Sequence, residues 1–323
     1  MSVSILIPIY NVEKYIERCG RSLFEQTYHD IEYIFVNDCT PDNSVEILKN
    51  IIQEYPQRKE HIRIISHEKN RGLAAARNTA VDNCQTDFLM HVDSDDFLEL
   101  DAVEKLVKKQ NENDYDIVTG NAMMHYKDTS IVLHENEPTD KIKLIKLYIG
   151  KFYNHVLWGR LIRTSLYKSS NIQALEGCNI GEDHQVVPKL FYYAKSFVAI
   201  NDILYHYDCT NESSYMSQSG DSICYLYREY QNTLSYNVLR VFFDDKEDYS
   251  DQVYSSMPHT LNKALHASIV FKKKEIYDEL VNIFNSLDKL KLRNNNHKYN
   301  YYKLLFINNY YLARLRYMFS RCF

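Results

Sequence analysis

What the chain has little of narrows its class before any motif is read. Its 323 residues include only 8 glycines, 6 prolines and a single tryptophan. That scarcity, with no repeating period, excludes collagen-like and low-complexity chains. No apolar run reaches the ~20 residues that a membrane-spanning helix needs. The seven cysteines, Cys19, Cys39, Cys84, Cys178, Cys209, Cys224 and Cys322, are scattered and form no Cys-x-x-Cys pair. An odd, widely spaced set argues against a disulfide framework and a zinc site and reads as reduced thiols. No signal-peptide pattern opens the chain, because Pro8 and Asn11 interrupt the first apolar run. The expectation is a cytoplasmic protein.

Excess positive charge is also missing. The net charge of −5 disfavours generic nucleic-acid binding. The balance is uneven, however: from Lys289 to the end there are eight basic residues and no acidic one, leaving −13 for the rest. Residues 299–323 are basic and rich in tyrosine, phenylalanine and leucine. Such a segment suits either an interfacial helix on the anionic inner surface of a membrane or docking on the protein's own acidic body. The remaining composition, 45% hydrophobic and 25% charged, is that of a folded chain with a sizeable core.

The first hundred residues alternate strand and helix. Apolar, β-branched runs at 3–9, 31–36, 62–66 and 87–92 read as buried strands. Helical spacing predicts helices over 12–25, 43–55 and 73–83. A βαβ rhythm of this kind implies a parallel sheet with helices on both faces, and right-handed crossovers gather the loops along one carboxyl edge. Beyond residue 96 the pattern predicts helices over 99–111, 140–150 and about 183–194, with a strand over 116–126. Long amphipathic helices follow over 221–243, 253–271 and 274–287, and a polar linker over 292–300. The expected domains are residues 1–215 (a first half, 1–98, and a second, 99–215) and a helical region, 216–323.

Four segments meet on the carboxyl edge. Strand one ends in Pro8-Ile9-Tyr10-Asn11, and strand two in Asn37-Asp38-Cys39-Thr40-Pro41-Asp42. Strand three is followed by Asn70-Arg71-Gly72 and Ala76-Arg77-Asn78, and strand four by Asp93-Ser94-Asp95-Asp96. Three carboxylates within four residues repel one another unless a hard cation sits among them, which suits Mg²⁺ or Mn²⁺ bridging to phosphate oxygens. Tyr10 has the shape to stack on a flat base, Asp38 to accept from a base N–H, and Arg77 to meet phosphate. Each also has a plain structural reading: a solvated acidic turn, helix caps at Asn11 and Asp42, and an ordinary helix-face arginine.

As an ensemble these segments resemble glycosyltransferase family 2. Trp158-Gly159-Arg160-Leu161 is similar to the family's Trp-x-Lys-Leu segment, and Gly181-Glu182-Asp183 resembles its Glu-Asp motif. The resemblance covers about residues 1–215. It implies a GT-A fold: an α/β, Rossmann-like, mostly parallel central sheet with helices on both faces, here followed by a helical C-terminal extension. It also implies nucleotide-sugar chemistry with a UDP-sugar donor and Mn²⁺ or Mg²⁺. Carried over by position, Pro8, Tyr10, Asp38, Arg77, Asp93, Ser94 and Asp95 would line the donor site, with Asp93 and Asp95 at the cation. Asp183 would be the catalytic base of an inverting transfer. The implied acceptor is a glycan, such as a lipid-linked polysaccharide or lipopolysaccharide intermediate, and the basic tail would then mark peripheral membrane attachment.

The chain departs from the family pattern at several points. Asn37 stands where a second aspartate is usual, Cys39-Thr40 where Gly-Ser is usual, and Ala80 where a glycine is usual. Asp208 stands where an arginine commonly follows tyrosine. His206 is a candidate third cation ligand or an ordinary packed histidine. Two rival readings stay open at this point. One is a nucleotidyltransferase, disfavoured by the lack of a Gly-rich, Lys-containing phosphate loop. The other is an inactive scaffold on the same fold, in which Asp95 and Asp183 would be replaceable.

Overall fold

The computed structural model describes residues 1–135, 138–211, 223–294 and 310. Residues 299–323, the expected interfacial segment, lie outside the described residues except for Tyr310. The chain divides into two compact units. The first comprises 1–144 with 154–214, and the second 145–153 with residues from 215 onward. The short stretch Ile145–Tyr153 thus groups with the helical region rather than with the segment around it in sequence.

In the first unit, β1 (Val3–Ile9), α1 (Ile16–Phe24), β2 (Ile31–Asn37), α2 (Ser44–Glu54), β3 (Ile62–Ser66), α3 (Leu73–Asn83) and β4 (Phe88–His91) follow one another as the periodicity predicts. Every residue of β1 is buried, because it pairs in parallel with both β2 and β4. Val3, Ile5, Ile7 and Ile9 share one face with Ile16, Cys19 and Leu23 of α1 and with Leu48 and Ile51 of α2. Helix α3 packs over β1 and β2 with Ala74, Ala75, Ala76 and Ala80 buried. Small side chains let its backbone approach the sheet closely.

The remaining elements of this unit are β5 (Phe97–Leu98), α4 (Ala102–Asn113), β6 (Ile117–His125), β7 (Ser130–Leu133), the start of α5 (Lys141–Ile149, which passes to the second unit from Ile145), β8 (Arg160–Arg163), α6 (Thr164–Ser169), α7 (Glu182–Tyr193) and β9 (Phe197–Asp208). The sheet order is β3-β2-β1-β4-β8-β6-β9-β5, with β7 paired to β6. The sheet is mixed. It is parallel from β3 to β4, then β8 enters antiparallel between β4 and β6. This insertion brings the chain around Trp158 beside the end of β4, through a bridge from His91 to Trp158.

The second unit is helical. Helices α8 (Ile223–Phe243) and α9 (Glu247–Val270) pack along each other, and α10 (Lys274–Ser286) packs on both. Their buried faces are apolar: Leu226, Tyr236, Leu239 and Phe243 on α8, Met257, Leu261, Ala264 and Leu265 on α9, Tyr277, Leu280 and Phe284 on α10. Helix α9 begins six residues before the expected 253. A short helix, α11 (Lys289–Asn294), occupies the start of the expected linker.

Candidate active site

The loops after β1 and β2 are stitched together by Asp42. Its carboxylate accepts from the hydroxyls of Thr40 and Ser44, each at 2.6 Å, and from the Glu13 N–H at 2.9 Å. Partial burial works to raise its pKa, but these bonds prevail and hold it below the usual carboxylate range. Thr40 Oγ1 also accepts from the Asn11 N–H at 2.8 Å. Tyr10 stands at the end of β1 with 45% of its surface exposed, while Pro8 is buried within the strand. Cys39 has φ 56°. That left-handed turn costs about 1 kcal/mol for a residue with a Cβ, a cost a glycine would escape.

Asp38, expected at the base, is enclosed by its own neighbours in the structure. It is 2% exposed and accepts from the N–H groups of Arg71 (2.8 Å) and Gly72 (2.7 Å). His67 Nδ1 lies 2.7 Å away and carries the shared proton, because a carboxylate only accepts. Asp38 therefore shapes the turn into α3. Gly72 is required there: its φ is 89°, and a Cβ would sit 2.3 Å from the Asn179 side chain. The loop carrying Asn179 is fastened to α3 at three more points. Arg71 grips Glu176 (2.8 Å), Asn78 exchanges two bonds with Ala174, and Gln173 donates to Asp82. This fastening delivers the head of α7 to the sheet edge.

The acidic loop after β4 divides its carboxylates between two jobs. Asp96 is fully buried and accepts from the Tyr205 hydroxyl (2.6 Å) and the Asp208 N–H (2.8 Å), so it is a structural anchor. Ser94 is buried inside the loop. Asp93 and Asp95 remain partly open. Asp93 Oδ1 receives Arg77, and Asp95 Oδ2 receives Asn211. Their other carboxylate oxygens take no hydrogen bond from another described residue. Burial, and then repulsion from Asp93, push Asp95 up to about 6. Two oxygen-only groups strained by mutual repulsion fit a hard divalent cation whose shell is completed by phosphate and water. No group of three His, Cys, Asp or Glu side chains forms a protein-only metal cage among the described residues.

Arg77 is the hub of the site. The residue is 3% exposed. Nη2 donates to Asp93 Oδ1 at 2.8 Å, while Nε lies 3.5 Å from Glu182 Oε1 and 3.9 Å from Asp183 Oδ1. One cation thus faces three carboxylates from two halves of the fold. Nε and Nη1 of Arg77 and Oδ1 of Asp183 are buried without a hydrogen bond. Asp183 sits in the first turn of α7, favourable for an anion, and the Leu157 N–H donates to it. Burial raises Asp183 to about 6 against the pull of Arg77. Burial and the neighbouring Asp183 raise Glu182 to about 8. Burial and repulsion from a neighbouring carboxylate thus favour the protonated form in both acids, and Arg77 opposes this in both.

His206 is not brought to Asp93 and Asp95. Its ring stacks on Phe97 at 4.4 Å, and its nitrogens face His125 Nε2 and Glu99 Oε1, each at 2.8 Å. Both ring nitrogens are thus engaged by neighbouring side chains. Several contributors were not singled out by sequence reasoning. Tyr205 holds both Asp96 and the Asp93 N–H and stacks on Trp158 at 4.4 Å. Asn179, Asn211 and Arg18 make contacts between residues more than seventy positions apart, for which no local spacing exists.

A family model described as glycosyl transferase family 2 matches residues 4–170, about half of the chain. The chain belongs to glycosyltransferase family 2. A Bacillus subtilis relative named uncharacterized glycosyltransferase EpsJ is 34% identical over 218 residues. That match covers 64% of this chain, and the chain spans about three-fifths (60%) of the relative's length. Among solved structures, S. aureus TarS 1-349 in complex with UDP-GlcNAc superposes with a TM-score of 0.70 at 17% identity, covering 99% of this chain and 92% of that one. The mannosyltransferase PcManGT from Pyrobaculum calidifontis, in complex with GDP-Man and Mn²⁺, gives 0.55 at 14% identity, with 95% and 86% covered. These likenesses share the GT-A fold with this family member. No helix among the described residues is long and apolar enough to cross a membrane.

Proposed function

We propose that this family 2 protein is an inverting glycosyltransferase that moves a sugar from a UDP-sugar to a hydroxyl of a glycan acceptor, with Asp183 as general base. The observation that carries the reading is the Arg77 hub, which ties strand-end Asp93 to Asp183 at the head of α7. A single in-line displacement needs a base on the face opposite the leaving group. Asp183 takes the proton of the acceptor O–H as that oxygen bonds to the anomeric carbon. The bond from that carbon to the diphosphate oxygen breaks, and its electron pair leaves with the nucleoside diphosphate. Tyr10 offers its exposed ring to the base, and Arg77 Nη1 has a free N–H for a donor oxygen. Asp93 and Asp95 are the residues that would hold Mn²⁺ or Mg²⁺, which would supply Lewis-acid neutralisation of charge on the leaving diphosphate. The UDP-GlcNAc bound to TarS and the Mn²⁺ in PcManGT support the donor class and the cation.

Calorimetry with UDP, GDP and CMP, with and without Mn²⁺, tests the donor assignment. The expected result is metal-dependent UDP binding that Asp95→Ala abolishes. Preference for GDP would overturn the uridine assignment alone, and absence of any nucleotide binding would overturn the donor site.

A further inference from the structure

The position where the family commonly carries an arginine holds Asp208 in this chain, yet the structure places a guanidinium there from another element. Arg18, on α1, reaches across 190 positions of sequence to Asp208 Oδ2 at 2.6 Å. The same Nη2 donates to the backbone carbonyl of Asp95 at 2.8 Å. Asp208 is 8% exposed, and Arg18 keeps 42% of its side chain in solvent. The guanidinium lies 4.6 Å from the centre of the Phe97 ring, on which His206 stacks in turn. A planar cation over a ring that is itself stacked loses little freedom on binding, so its direction is preset. Three residues beyond Asp208, Asn211 holds Asp95 Oδ2.

We infer that Arg18 is a positioning residue of the donor site: by clamping the Asp95 carbonyl to Asp208 it fixes the direction of the Asp95 carboxylate toward the cation and diphosphate. This rests on the donor-site reading above. Arg18 acts through geometry, not charge. Its positive charge is matched by Asp208 at 2.6 Å, so the pair adds little net field. That separation of roles yields a test by sign. Arg18→Ala removes the clamp but exposes an unmatched negative Asp208 near Asp95. A purely electrostatic Arg18 would thus have weakened cation binding, and its removal would strengthen it. A clamp, once removed, leaves binding weaker.

The measurement is Mn²⁺ binding in the presence of UDP, read from the loss of the free Mn²⁺ signal in electron paramagnetic resonance. The proteins are wild type, Arg18→Ala, Asp208→Asn and Arg18→Ala/Asp208→Asn, each first shown to be folded by circular dichroism. The expected result is about tenfold weaker Mn²⁺ binding for Arg18→Ala, the scale of one charge-assisted hydrogen bond. The double variant, which buries no unmatched acid, is expected to remain about as weak. Unchanged or tighter binding in Arg18→Ala would overturn the clamp. So would recovery of wild-type affinity in the double variant, because the defect would then lie in the stranded Asp208. If wild type itself shows no UDP-dependent Mn²⁺ binding, the donor-site reading fails and the clamp with it, a result told apart because no variant is needed to see it.

Discussion

Two sets of carboxylates lie on the same sheet edge, and they are built to opposite rules. Asp38 and Asp42, in the loops after β2, are saturated with donors: backbone N–H groups, hydroxyls and one imidazole. Asp93, Asp95, Glu182 and Asp183 share one guanidinium, one amide side chain and the Leu157 N–H, and their neighbourhood keeps buried donors and acceptors unpaired. The first set pins the backbone. The second keeps donors and acceptors uncommitted, which is what the proposed donor and acceptor chemistry requires. An acidic residue on this edge is therefore understood by counting the donors already committed to it.

The sharpest way to break the comparison is Asp183→Asn. The amide keeps the shape but cannot take a proton, so turnover should fall about 10²–10⁴-fold while UDP binding is retained. In the wild type, kcat/KM should rise with pH through a midpoint near the value of about 6 held by Asp183. The stability of the same variant should move the other way. The folded state raises the pKa of Asp183 above its unfolded value, so ionised Asp183 costs stability at neutral pH, and that cost disappears as pH falls below the unfolded value. Asp183→Asn should accordingly melt higher than wild type at pH 7.5, with the gap closing toward pH 4. A variant that loses neither turnover nor shows this pH-dependent gap would remove Asp183 from the second set.

Asp38→Ala tests the first set. It strands two backbone N–H groups and His67, and should cost about 3 kcal/mol in thermal or denaturant melts, given ~1.5–3 kcal/mol for hydrogen bonds to a charged group. Its effect on activity well below the melting temperature should be smaller than that of Asp183→Asn. Had Asp38 been a base-reading group, the signature would instead be a raised KM for the donor with an unaltered melt. The smallest expected effect is that of Glu182→Gln. Burial and the neighbouring Asp183 favour the protonated form of Glu182, which the amide imitates, so kcat at pH 7 should stay within a few fold. A loss approaching that of Asp183→Asn would show that Glu182 works as an anion.

The strands and helices of residues 1–98 were legible because their burial is simple: a strand covered on both faces is apolar throughout, and helices on one face repeat every three to four residues. The acid run 93–96 and the Glu-Asp pair at 182–183 were legible as clusters of like charge. What each acid does was not legible. Nothing in Asp93-Ser94-Asp95-Asp96 marks the last as a buried anchor, since that follows from Tyr205, more than a hundred residues away. The same holds for Asp38, whose partners at 67, 71 and 72 come from the loop after β3. Helix α11 takes the first three residues of the linker expected over 292–300, for a local reason: Lys289–Asn294 has enough helix-forming residues to close a short helix, while 295–300 lie outside the described residues.

The sequence by itself determined the alternating α/β plan, the edge on which chemistry gathers and the membership suggested by its four spaced segments, because each is encoded in periodicity or in residues close together in the chain. Only the tertiary structure decided which carboxylates are spent and which are left open. It joined Arg77 to acids from two halves of the fold, turned Asp38 inward, and supplied through Arg18 the guanidinium missing at position 208. The physical reason is that a charge is tuned by whatever surrounds it within a few ångströms, and in this fold those surroundings come from loops brought together by the sheet.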